Sequence, residues 1–109
     1  MGLMNRIVGD FARSPGSAAE AARFLALLAN EKRLLILCHL QATGECDATS
    51  LAAAVDLSAS ALSQHLARLR ADDLVAYRRN GQTLFYRLAD PRAVEIMAAL
   101  KGMFCLPMR

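Results

Sequence analysis

The 109-residue chain has no apolar run approaching the roughly 20 residues that a membrane-spanning helix needs; its longest uncharged apolar stretch, Leu34 to Leu40, already contains His39. A membrane-spanning role is therefore not expected. Met1 to Ala12 does not read as a secretory leader either, because Asp10 sits where an apolar region should run. Cysteine is scarce and odd in number, Cys38, Cys46 and Cys105, so no structural disulfide framework is expected. The chain reads as a protein of the reducing bacterial cytoplasm, with thiols that are free, metal-bound or sensory. Catalytic patterns are missing as well: there is no nucleophile-base-acid set, phosphate loop or H-E-x-x-H motif, and no enzyme is expected. Repeats and low-complexity tracts are absent, and Arg13 to Ser17 (RSPGS) is the only Pro/Gly/Ser-rich stretch.

What is present fits one small domain. Residues 1–16 read as an N-terminal arm, with Leu3, Ile7, Val8 and Phe11 on one helical face, and residues 17–109 as the domain proper. Hydrophobic residues make up 55% of the chain and charged ones 21%. A domain this small cannot bury so much apolar surface alone, so a partner is expected and a homodimer is the economical choice. The net charge of +3 and pI of about 9.1 permit binding to a polyanion without demanding it.

Periodicity places the elements. Ser17 with Glu20 reads as a capping box opening a helix over Ala21 to Ala29, with Phe24, Leu25 and Leu28 inward. Asn30 caps a second helix, Glu31 to Gln41, that carries Leu34, Leu37 and Cys38 at core spacing. A short helix follows over Ser50 to Val55, then a tight connection at Asp56 to Ser58, then a helix over Ala59 to Ala71 whose buried side is Leu62, Leu66 and Leu69. Beyond Asp73 the pattern alternates: Leu74 to Arg79, an Asn80-Gly81 turn signal and Leu84 to Leu88 read as one β-hairpin. Asp90-Pro91 starts a last helix with Val94, Met97, Leu100 and Phe104 as its apolar stripe. The fold class is α+β, mostly helical.

The helix from Ser58 to Arg70 (SASALSQHLARLR) turns Ser60, Gln64 and Arg68 outward, with Ser58 at its start and Ser63 and His65 at its margins. Hydroxyl, amide and guanidinium groups are the chemistry that reads base edges and phosphates in a major groove; the alternative is an ordinary solvated face. Position favours the first, because six arginines (Arg68, Arg70, Arg78, Arg79, Arg87, Arg92) face three aspartates (Asp72, Asp73, Asp90) across this helix and the hairpin. Arg78, Arg79 and Gln82 would then lie on a hairpin resting on the phosphate backbone.

The segments LANEKRLLIL and LSASALSQHLARLRADDLVAYRRNGQTLFYRL resemble the ArsR/SmtB family of repressors over about Ala18 to Cys105. That resemblance implies a winged helix-turn-helix of five or six helices plus one two-stranded wing. It also implies a homodimer whose first and last helices pair across a two-fold axis, binding double-stranded operator DNA of inverted-repeat form in major grooves about 34 Å apart.

The resemblance also bears on sensing. The family's thiolate motif E-L-C-V-C-D-L corresponds to Glu45-Cys46-Asp47-Ala48-Thr49-Ser50-Leu51, with Asp47 and Thr49 in the cysteine positions and Cys46 out of register. At the family's zinc site on the last helix, Asp90 matches, but Arg92, Met103 and Leu106 stand where the other ligands should be. No metal and no cofactor are expected. Cys38 and Cys105 are placed as in the dithiol, persulfide-sensing BigR/SqrR-type subgroup. The implied mechanism is bridging of these two thiols by low-molecular-weight persulfides or polysulfides, which relieves DNA binding. A peroxide or general thiol-redox sensor would use the same pair, and a sensor-free architectural DNA-binding or dimerisation protein would need neither. Cys46 reads as a bystander in a loop.

Overall fold

The computed structural model describes residues 15–104. Five helices and a three-stranded antiparallel sheet follow the chain: α1 (Pro15–Leu28), α2 (Glu31–Thr43), β1 (Cys46–Asp47), α3 (Ala48–Ala54), α4 (Ala59–Ala71), β2 (Val75–Asn80), β3 (Thr83–Leu88) and α5 (Pro91–Phe104). Strand order is β1-β3-β2. The apolar face expected over Leu3 to Phe11, and Cys105 to Arg109, lie outside the described residues.

The helix α1 begins at Pro15, inside the expected arm, so Ser17 lies within the helix and does not cap it. Proline suits a first helical turn, where its fixed φ is already correct and its missing N–H leaves no bond unmade. The inward stripe also differs from the sequence reading: Leu27 and Leu28 are buried, Phe24 is half-buried, and Leu25 is 54% exposed. One side of α1 faces the end of α4 and the start of α5, through an Arg23–Asp72 ion pair at 3.1 Å and the Arg92 guanidinium over the Phe24 ring at 5.1 Å.

Asn30 caps α2 as expected, its side chain accepting from the Arg33 N–H at 3.0 Å. Arg33 turns back to donate through Nε to the Leu27 carbonyl at 2.6 Å, satisfying an open acceptor at the end of α1. Ile36, Leu37, Cys38 and Leu40 are all buried, which makes α2 the central helix of the core. Each fully buried aliphatic side chain contributes about 1.5–3 kcal/mol. The helix ends at Gly44, whose φ of 79° lets its N–H reach the Leu40 carbonyl at 2.8 Å.

The hairpin is not alone. Cys46 and Asp47 pair with Tyr86 and Phe85 of β3, adding a third strand too short for alternation to reveal. Cys46 is accordingly buried in a strand rather than lying in a loop. Asp47 then caps α3, accepting from the Ser50 N–H at 2.9 Å. The β2–β3 register brackets Gly81 and Gln82 between the paired Asn80 and Thr83, with Gly81 at φ 65°.

On α5 the buried residues are Ala93 and Met97, with Ile96 and Leu100 packed partly against the core. Val94, Met103 and Phe104 are 44%, 65% and 67% exposed. The expected stripe therefore splits, one half serving the protomer core and the other left open on the outside. No helix among the described residues is long and apolar enough to cross a membrane.

Candidate nucleic-acid interface

The surface is built from α3, the turn after it, α4 and the β2–β3 wing. Helices α3 and α4 are joined at Val55 to Ser58 by a turn in which Asp56 takes φ 55°. Three backbone bonds hold it: Val55 N–H to the Leu51 carbonyl, Asp56 N–H to Ala53 and Leu57 N–H to Ala52, at 3.1, 3.3 and 3.0 Å. Lys32 of α2 adds a brace, its ammonium donating to the Val55 carbonyl at 2.7 Å and to Asp56 at 3.5 Å. A charged donor on an otherwise open carbonyl is among the stronger hydrogen bonds available to a turn.

Helix α4 spans the residues expected of it and is seated by Leu62, Leu66 and Leu69, all buried. Its opposite side is open: Ser60, Ser63, Gln64 and Arg68 are exposed. Ser58 is exposed at the helix start, but its Oγ accepts from the Ala61 N–H at 3.1 Å, so it works as the cap. His65 is half-buried, and burial, then the Arg33 charge, hold its imidazole below its ordinary pKa. Burial and the charge of Arg68 also lower Arg33, so cations of α2 and α4 gather on one flank of this helix.

The wing is fixed to α4 by Arg70, whose guanidinium lies 4.8 Å from the centroid of the Tyr77 ring. Tyr77 in turn meets Tyr86 at 5.5 Å. Strand alternation sends the two consecutive arginines to opposite faces of the sheet. Arg79 shares a face with its cross-strand partner Leu84, and both Arg79 and Gln82 are exposed near the turn. Arg78 is held instead: it lies over Phe85 at 4.7 Å and makes a two-pronged pair with Glu45, Nε to Oε2 at 2.8 Å and Nη2 to Oε1 at 2.9 Å. Glu45 was not among the expected site residues. It reaches Arg78 only because β1 joins the sheet, and no local pattern announces that.

The cysteines differ in setting. Cys38 is 2% exposed, and burial raises its thiol pKa while the nearby Lys101 charge opposes the rise. Cys46 donates weakly to the Asp47 carbonyl at 3.4 Å, and burial together with the Asp47 charge raises it as well. Cys105 lies outside the described residues. Asp90, the one residue matching a zinc ligand, is occupied by Arg92 at 2.7 Å. Among the described residues no cluster of three or more His, Cys, Asp or Glu could hold a metal ion.

Comparison with known proteins accords with this geometry. The family model described as bacterial regulatory protein, arsR family, matches residues 30–77, from the α2 cap into β2. The HTH-type transcriptional regulator YgaV of Escherichia coli is 38% identical over 96 residues, covering 88% of this chain and 97% of that one. Among solved structures, reduced HlyU from Vibrio cholerae superposes with a TM-score of 0.81 at 39% identity, covering 86% of this chain and 98% of that chain. The transcriptional repressor BigR from Xylella fastidiosa gives 0.74 at 33% identity, with 86% and 92% covered. The homodimeric winged helix-turn-helix DNA-binding domain of Mb0332 from Mycobacterium bovis gives 0.74 at 31% identity, with 84% and 83% covered. The overall fold is thus shared with transcription regulators, and the chain belongs to the arsR family of bacterial regulatory proteins.

Proposed function

We propose that the chain is a homodimeric transcriptional repressor that binds an inverted-repeat operator in double-stranded DNA, and that persulfides or polysulfides release it by bridging Cys38 to Cys105. The observation that carries the DNA-binding part is α4: a rigid helix backed by Leu62, Leu66 and Leu69, with Ser60, Ser63, Gln64 and Arg68 open to a groove. Ser58 presents the helix start, His65 and Arg68 flank it, and Arg79 and Gln82 meet phosphates from the wing. Repression is the direction named for BigR, and occlusion of a promoter needs no chemistry beyond tight binding.

Dimerisation is supported by Leu25 on α1 and by Val94, Met103 and Phe104 on α5, large apolar side chains left open on the protomer's first and last described helices. Pairing these helices across a two-fold axis would cover them. The homodimeric Mb0332 domain has the same fold.

The thiol reading rests on α2 and α5 packing together, with the Lys101 charge felt at Cys38. Cys105 follows Lys101 by four residues in the sequence. Burial and a raised pKa make Cys38 a poor first nucleophile, so the first attack is assigned to Cys105. Its thiolate attacks the terminal sulfur of a persulfide R–S–SH, forming Cys105–S–SH and releasing RSH. The Cys38 thiolate then attacks the Cys105 sulfur and expels hydrosulfide, leaving a disulfide. Two thiols are oxidised and one sulfane sulfur is reduced to sulfide. A second sulfane sulfur retained at Cys38 makes the bridge a trisulfide. Tying α2 to α5 shifts the protomers' relative placement and weakens operator binding.

One titration tests the reading: operator binding by fluorescence anisotropy, with intact-mass spectrometry after glutathione persulfide, peroxide or oxidised glutathione. Persulfide is expected to bridge the wild type and release DNA, while Cys38→Ser and Cys105→Ser stay bound and Cys46→Ser responds as wild type. Gln64→Ala is expected to bind operator no better than random duplex. Release without a bridge refutes the dithiol mechanism, and equal bridging by peroxide turns the reading into a general thiol-redox sensor.

A further inference from the structure

The wing carries a contact that DNA binding does not require. Arg78 is on β2, an edge strand, and its cross-strand partner is Phe85 on β3. To reach Glu45, which precedes β1 on the far side of β3, the side chain runs across the sheet and lies on the Phe85 ring. Both guanidinium prongs are then spent on one carboxylate, at 2.8 and 2.9 Å. The pair holds the Glu45 carboxyl below the usual carboxylate range, with the Arg87 charge adding to the effect. A guanidinium fork fits a carboxylate or a phosphate in the same two-pronged way, and Glu45 takes the Nε–Nη2 edge of Arg78 and balances its charge, which weakens its pull on a phosphate.

The geometry points to Glu45 as a positioning residue that holds one wing arginine back from the phosphate backbone: Arg78 stays closed on Glu45, and the wing's grip comes from Arg79 on the opposite face. Three features support this assignment. The Arg78 side chain is 52% exposed and that of Glu45 33%, so Arg78 is open to a competing anion and the two-pronged geometry of the pair is what holds it. The aromatic stack with Phe85 favours the closed position over free solvation. Glu45 also places a negative charge beside the wing's cations, which lowers the counterions the wing can displace. The inference rests on the wing lying against DNA, as proposed above.

The test is the salt dependence of duplex binding, since each phosphate contact contributes about 0.9 to the slope of log K against log salt concentration. Glu45→Gln frees Arg78 and is expected to steepen the slope by about 0.9 per wing and to tighten binding at low salt by about three- to tenfold. Glu45→Gln with Arg78→Ala, which removes both charges together, is expected to keep the parent slope. Arg78→Lys, which cannot form the two-pronged pair, is expected to steepen the slope and serves should Glu45→Gln fold poorly by thermal melt. A slope in the double variant shallower than the parent's would mean that Arg78 already grips phosphate, and weaker binding by Glu45→Gln or Arg78→Lys at unchanged slope would reduce the pair to a brace; either result overturns the inference. Arg79→Ala checks the underlying reading separately, since a slope it leaves unchanged removes the wing from the backbone altogether.

Discussion

Replacing Cys38 with serine exchanges a small apolar group for a hydroxyl at a site only 2% exposed, among Ile36, Leu37 and Leu40. Burying a hydroxyl without a partner costs about 1–3 kcal/mol in proteins. On a helix the serine can recover part of that by donating to the carbonyl a turn earlier, here Leu34. The expected loss is therefore about 1.5 kcal/mol, a fall of roughly 6–12 °C in melting midpoint for a domain of this size. Cys46→Ser is the internal comparison, because the Cys46 Sγ already faces the Asp47 carbonyl at 3.4 Å. A hydroxyl there inherits an acceptor, and its cost should stay under about 0.5 kcal/mol. Urea and thermal melts under full reduction, at one fixed protein concentration because association contributes to stability, measure both. If Cys38→Ser melts with the parent, or Cys46→Ser is the less stable of the two, the description of Cys38 as a core residue fails. The same measurement guards the sensing experiment, since a Cys38→Ser protein that retains DNA under persulfide is informative only where it is shown to be folded.

Elements with their own local chemistry were legible from the chain. The bounds of α4 matched because Ser58 caps it and Leu62, Leu66 and Leu69 repeat at helical spacing, and α2 matched at its start because Asn30 accepts from Arg33. Contacts made by distant segments were not. Strand β1 has two residues, so its existence depends on Tyr86 and Phe85 being placed beside it. With β1 unseen, Cys46 read as loop and Glu45 had no reason to be matched with Arg78. The stripe on α5 misled for a related reason. Val94 and Phe104 are apolar and correctly spaced, yet Ala93 and Met97 face the protomer core. Periodicity marks an apolar face without saying whether it belongs to the same chain's interior or to a surface awaiting a second copy. The polar face of α4 could be read as a candidate from residue types alone, but the pairing of Arg78 with Glu45 could not. Alternation on a strand sends Arg78 and Arg79 to opposite sides, and a carboxylate from beyond the adjoining strand then decides which of them is engaged.

Lys32 and His65 offer two further checks on how α2 supports the DNA-binding helices. Lys32→Met keeps most of the stem and removes the ammonium from the Val55 carbonyl, where it stands at 2.7 Å; the expected cost is about 1–2 kcal/mol in urea melts, and a variant as stable as the parent would show the brace to be idle. For His65, burial first and the Arg33 charge second hold the folded imidazole below its ordinary value of 6.5. The unfolded chain therefore takes up this proton before the folded one does. The sign follows from proton counting: above about pH 6.5 both states are neutral at this position and the residue contributes no pH dependence, whereas below it the unfolded state binds more protons and folding stability falls as pH falls. The Arg33 guanidinium on the same flank keeps its charge throughout this range and so does not produce the effect itself. Urea midpoints for the parent and His65→Gln, compared from about pH 7.5 to about pH 5.5, are expected to run parallel at the upper end and to separate below about pH 6.5, the parent losing stability faster. Parallel curves throughout, or a parent that gains on the variant as the solution is acidified, would mean that the imidazole is not held neutral against α2 and that His65 faces solvent freely.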